Sequence, residues 1–230
     1  KVIMSKDVLD IMLDLEFFGT ETDMVKDFPG QDAFPIVSSI GMVIQLNGEI
    51  VSSDNFAVSF QEQLNSGAKF GRDCMLEFWT KQPLFGAEMA RTVEQTNSID
   101  SVLVSIVDAI YNARQLAEQP FLEVNVLGNN LIADNSKVIR LFAKYSSQPL
   151  PWTYFENTDY REILKIATYL GFDRRAAGSN FTAKVLRGEY SHLGHTCEAL
   201  HNAEYDCLKQ LSMLNDARAY LKEVKEKVNA

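Results

Sequence analysis

The 230 residues are 46% hydrophobic, enough to bury a full core in one domain of generous size. A net charge of −9 excludes a protein that coats nucleic acid, which needs a broadly basic surface, but not an enzyme gripping a few terminal nucleotides. No run approaches the roughly 18 apolar residues of a membrane helix, no leader pattern opens the chain, and Cys74, Cys197 and Cys207 have no paired spacing, so a soluble protein of the reducing cytoplasm is expected.

In chain order, VLDIMLDLE at 8–16 is an apolar run closing in acids and reads as a strand. Ile36 to Leu46 is β-rich, and Asn47-Gly48 joins it to EIVSSDNFAVSF. Both turn residues accept the positive φ of a type I′ turn, so a hairpin is predicted. From Ser98 to Ala117, Ile99, Val102, Leu103, Ile106, Ile110 and Ala113 recur at helical spacing, with Asn97 as the expected N-cap. FLEVNVLG at 121–128 reads as a strand closed by a Gly-Asn-Asn turn, after which Asp134 opens a helix. WTYFEN at 152–157 reads as a strand, 160–171 as a helix stopped by Gly171, and Glu198 to about Val228 as a long closing helix. Residues 20–35 and 172–197 are expected to be long loops. This order predicts an α/β protein with a central mixed β-sheet of about five strands flanked by helices.

Asp14 and Glu16 stand two apart on the first predicted strand, so its period of two aims both at one face. Buried like charges are costly, and a divalent cation held by oxygens is the ordinary remedy; two solvated acids at a strand end is the competing reading. Asp134 follows a strand, where α/β sheets present functional groups, but Asp is also a favoured helix N-cap. On an unbroken helix His201 and Asp206 would lie roughly 140° apart. They converge if His201 lies in or just before the first turn, and that is the arrangement we expect. HLGHTC brings His192, His195 and Cys197 together without a fourth ligand at a familiar spacing, and is not read as a zinc site. Charge is uneven along the chain: residues 1–60 carry three Lys and ten acids, residues 161–188 six Lys or Arg and two acids.

The ordered set LDLEFFG at 13–19, LGNNLIADN at 127–135 and HNAEYD at 201–206 resembles the DEDD superfamily of 3′-to-5′ exonucleases, in its histidine subgroup. That subgroup carries Asp-x-Glu, a later Asp, and His-x-x-x-x-Asp. SSIGMVI at 38–44, EFWTKQ at 77–82 and YFENTDYREI at 154–163 resemble the phage and bacterial exonuclease A-like branch. Phe17 stands where many relatives have Thr or Ser, and Ala133 where they have an aromatic.

The resemblance implies a ribonuclease-H-like fold and one exonuclease domain over residues 1–230. It implies that Asp14, Glu16, Asp134 and Asp206 hold two Mg²⁺ or Mn²⁺ ions, directly or through waters, for an in-line displacement at phosphorus. His201 would be the general base. The implied substrate is the 3′ end of a single-stranded nucleic acid, released as nucleoside 5′-monophosphates. Phe17 and Phe18 would stack on or wedge against the terminal base, with core packing as the rival reading. Trp79 and Gln82 resemble a family helix near the substrate, unless Trp79 is an aromatic at the core edge. Asn129, in the Gly-Asn-Asn turn, is a further expected substrate contact. Arg174, Arg175, Lys184 and Arg187 would bind phosphates, or are ordinary surface cations. DNA and RNA are not separated by these motifs, so an exoribonuclease stays open. A non-catalytic nucleic-acid-binding module on the same fold is a third reading, which the complete acid set opposes.

Overall fold

The computed structural model describes residues 6–83, 85–95, 97–119, 121–131, 133–197, 199 and 201–229. Its central strand, β1 (Asp7–Phe17), alternates as the sequence requires: Leu9, Ile11, Leu13 and Leu15 enter one core and Met12 the other. Asp14 and Glu16 share the Met12 face. After α1 (Glu21–Asp27) come the hairpin strands β2 (Val37–Leu46) and β3 (Glu49–Ala57). They turn at Asn47 and Gly48 with φ of 53° and 91°, the left-handed pair that an Asn-Gly dipeptide accepts.

The chain continues through α2 (Phe60–Asn65), a π-helical turn at Cys74–Phe78, a 3-10 turn at Trp79–Lys81, α3 (Phe85–Glu94) and α4 (Ile99–Gln115). Then follow β4 (Leu122–Gly128), α5 (Asn135–Tyr145), a 3-10 turn at Tyr154–Glu156, and β5 (Asn157–Asp159). The chain closes with α6 (Tyr160–Tyr169), α7 (Arg174–Leu186), a 3-10 turn at Ser191–Leu193, and α8 (Ala203–Val228).

The sheet order is β3-β2-β1-β4-β5, with β2 antiparallel to both neighbours and β4 and β5 parallel to β1. This is the α/β, ribonuclease-H-like arrangement. Residues of α3, α4 and α5 pack on the Leu9–Leu15 face, and those of α6, α7 and α8 on the Met12 face. No helix among the described residues is long and apolar enough to cross a membrane.

Several local expectations are corrected. Residues 20–35 are not all loop, because Thr20 and Asp23 form a capping box that starts α1. Residues 172–197 contain α7, capped by Asp173, whose carboxylate accepts from the Arg175 and Ala176 amides. Its buried stripe, Ala177, Phe181 and Val185, is only one residue wide, too narrow to announce a helix by periodicity. WTYFEN is not a strand: Thr153 and Glu156 form a capping box around a 3-10 turn, and pairing begins only at Asn157. The N-cap of α4 is Ser98 rather than Asn97, its side chain accepting from the Ser101 amide. The expected start of the last helix, Glu198, lies outside the described residues; α8 begins at Ala203, capped by Asn202.

Candidate active site

Three segments bring four acids to the C-terminal end of β1. Asp14 and Glu16 come from the strand itself and are 8% and 7% exposed. Asp134 precedes α5 at 4% exposure, and Asp206 stands in the first turns of α8. Two glycines admit the helix ends. Gly41 pairs with Asp14, and a Cβ there would fall 2.2 Å from the Ala203 carbonyl carbon. Gly128 pairs with Leu13, and a Cβ there would meet Asn135 Oδ1 at 2.3 Å. The start of α8 thus lies directly on β2, and the start of α5 directly on β4, on either side of the acidic strand.

Asp134 occupies the helix N-cap position but does not cap: its backbone is helical and its side chain bonds no α5 amide. The carboxylate instead accepts from the Asn130 amide at 2.9 Å. Burial pushes its pKa up to about 6, opposed by the Asn130 hydrogen bond and the charges of Lys137 and Arg161. Burial also lifts Asp14 well above the carboxylate range, helped by the negative charges of Asp134 and Asp206. A 2.9 Å bond from Gln210 Nε2 to Asp14 Oδ1 partly offsets this.

His201 lies just before the Asn202 cap with φ of 60°, a left-handed conformation uncommon outside Gly and Asn. That turn removes the helical offset between His201 and Asp206. Ligand atoms of Glu16, His201 and Asp206 all lie within 4.8 Å of one another. The His201 ring meets Phe78 edge-on at 4.9 Å and lies 6.3 Å from Trp79. A cluster of carboxylates suits a hard divalent cation, and the mutual repulsion of Asp14, Asp134 and Asp206 is what such an ion relieves. The compact trio contains the imidazole in place of Asp14 and Asp134, which flank it.

The acids line a cavity of about 380 Å³, together with Phe17, Asn129, Arg161, Arg174, His201 and Lys209. Asn129 Oδ1 accepts from Arg161 Nε at 3.2 Å. Phe17 carries Lys137 Nζ over its ring at 4.1 Å, and that buried ammonium also binds the Ala133 carbonyl and Glu21. Phe18 and Trp79 are placed in the core instead: both are fully buried, their rings 5.3 Å apart, and Trp79 Nε1 donates to the Phe17 carbonyl at 2.7 Å. Neither offers a face to a base; Trp79 holds the backbone that follows Glu16 and packs beside the ring of His201. Of the cations singled out before the last motif, Arg174 reaches the cavity, Lys184 bonds Ser212, and Arg187 pairs with Glu189.

Gln210, Arg161 and Lys209 line the cavity and the charge of Lys137 acts on Asp134, and motif reading misses all four. Gln210 had a signal, standing four residues after Asp206 on the same helix face. Lys137 and Arg161 follow Asp134 and β5 with nothing local to distinguish them from surface cations.

No protein-family model matches the chain, and no curated protein sequence matches it. Among solved structures it is similar to exonuclease I. A complex titled SSB/exonuclease I with the inhibitor CFAM is 11% identical, with a TM-score of 0.47 over 94% of this chain and 43% of that one. Apo exonuclease I is 13% identical, with a TM-score of 0.44 over 91% of this chain and 41% of that one. A product-bound exonuclease I is also 13% identical, with a TM-score of 0.44 over 94% of this chain and 45% of that one. The chain therefore spans less than half the length of the exonuclease I chains it matches.

Proposed function

We propose that the chain is a divalent-metal-dependent 3′-to-5′ exonuclease of the DEDD type, in its histidine subgroup and nearest the exonuclease A-like branch, acting on single-stranded nucleic acid. The carrying observation is the convergence of Asp14, Glu16, Asp134, His201 and Asp206 on one cavity, although they come from both halves of the chain. A binding module has no use for buried carboxylates that raise one another's pKa. Residues 1–230 would act as one exonuclease domain in the reducing cytoplasm, with the three cysteines free as they are in the structure.

Asp14, Glu16, Asp134 and Asp206 would hold two Mg²⁺ or Mn²⁺ ions. When bound, these supply Lewis-acid stabilisation of charge on the phosphodiester oxygens. The chain's own groups do the rest. His201 accepts the proton of the attacking water at an imidazole nitrogen, and Phe78 edge-on to its ring limits its rotation. Gln210 orients the Asp14 carboxylate. Phe17 and Asn129 meet the terminal nucleotide, and Arg161, Arg174 and Lys209 receive phosphates of the incoming strand.

Three cations at the cavity against a net charge of −9 suit recognition of a strand end rather than a long stretch of backbone. The test is incubation with Mg²⁺ or Mn²⁺ and 5′-labelled single-stranded DNA and RNA of matched sequence. Stepwise shortening from the 3′ end with nucleoside 5′-monophosphate release is expected. Faster RNA cleavage would make it an exoribonuclease; cleavage of circular strands, or a labelled mononucleotide as first product, would refute the exonuclease reading.

A further inference from the structure

On the other side of the first turn of α8 is a polar group that the proposed chemistry does not use. His195 is buried at 9% exposure, and its Nε2 lies 3.4 Å from Glu204 Oε2, within ion-pair reach but without hydrogen-bond geometry. The other Glu204 oxygen accepts a 2.6 Å bond from Ser53 Oγ on β3. The His195 ring sits edge-on to Tyr205 at 5.6 Å, and Tyr205 sits edge-on to Phe181 of α7 at 5.3 Å.

These contacts frame the approach to His201. Ala203 rests on Gly41, Glu204 reaches Ser53, and Asp206 reaches the acids, so the first turn of α8 is fixed on both sides. His195 precedes His201 by six positions. His201, the residue before the Asn202 cap, takes a left-handed φ of 60°. Such a conformation is strained for a residue with a side chain and persists only where its surroundings impose it.

We propose that His195, Glu204 and Ser53 form a latch that positions His201. The His195 imidazole packs against Tyr205 and lies beside the Glu204 carboxylate, which Ser53 holds from β3, and His201 presents its ring to Glu16 and Asp206. His195 is a positioning residue acting through His201, and the inference rests on the nuclease reading. The latch is separate from the acids: Ser53 lies on the far side of β2 from Asp14.

A double-mutant cycle tests it, with hydrolysis of single-stranded DNA measured for the wild type, His195→Gln, His201→Ala and the double variant. Ser53→Ala serves as a milder break in the same latch. His195→Gln should lower kcat by about ten- to a hundredfold with KM and Mn²⁺ affinity unchanged, as expected for a misplaced catalytic group. The double variant should be no slower than His201→Ala alone. Hydrogen exchange of the amides around residues 195–203 should rise in His195→Gln and Ser53→Ala while the thermal midpoint stays near the wild-type value. Losses that add in the double variant, or unchanged exchange in both single variants, would overturn the latch. If the wild type hydrolyses no nucleic acid the nuclease reading fails on its own account, and the exchange measurement still decides whether these residues hold the segment.

Discussion

Replacing Asp134 by Asn should make the metal-free protein more stable while abolishing its activity. The carboxyl is buried, and its folded-state pKa of about 6 stands well above the value of 3.8 for a free aspartate. A difference of roughly two pH units corresponds to about 3 kcal/mol. The sign follows from proton binding. The folded protein holds this proton more tightly than the unfolded chain, so the stability it contributes is complete below about pH 4 and is lost as pH rises through about 6. An amide of the same shape carries no charge to desolvate, and its oxygen can still accept the Asn130 amide bond. Removing that charge also relieves Asp14 of one of the two negative neighbours that raise it.

Urea unfolding in EDTA should therefore show wild type and Asp134→Asn close to one another near pH 4 and separated by about 3 kcal/mol near pH 8. For a chain of this size that is roughly 6–12 °C in thermal midpoint. Added Mn²⁺ should close the gap by stabilising the wild type more than the variant. A variant less stable than the wild type near pH 8, or a gap that does not change with pH, would refute the argument that Asp134 is held as a strained carboxylate.

Three further outcomes follow from the site. Asp14→Ala should abolish Mn²⁺ binding measured by isothermal titration, and undiminished binding would remove Asp14 from the metal site. His201→Ala should lower kcat by about 10²–10⁴-fold as for loss of a general base; if Mn²⁺ affinity falls as well, the imidazole is a ligand, consistent with its place beside Glu16 and Asp206. Gly41→Ala should cost about 1–3 kcal/mol by overpacking and reduce activity beyond what the lost stability explains, because its Cβ displaces the first turn of α8.

Asp14 and Glu16 are legible in the sequence because their placement depends on a local rule. Two residues apart on a strand means one face, and that holds whatever the strand packs against. Asp134 and His201 needed more than a local rule. Read alone, Asp134 is a helix cap, and only the tertiary structure shows its carboxylate turned from α5 toward Asn130 and the cavity. His201 and Asp206 were offset on any regular helix, so their convergence required a break, which the left-handed φ at His201 supplies.

Aromatics were harder, because burial and base stacking both favour the same residue types. EFWTKQ and LDLEFFG could not reveal that Phe18 and Trp79 face each other inside the core while Phe17 lines the cavity. The least legible feature is the one on which the site's geometry most depends. Gly41 and Gly128 sit in apolar strands with no turn or positive φ to mark them, yet each is opposite the acidic strand and each is where a helix end touches the sheet. Their requirement is set by atoms more than 160 positions away for Gly41 and only seven for Gly128. Close approach of a helix end to the strand, by backbone at Gly41 and by the Asn135 and Asp134 side chains at Gly128, is therefore what converts a two-carboxylate strand pattern into a four-carboxylate site, and it depends on glycines that no motif of acids includes.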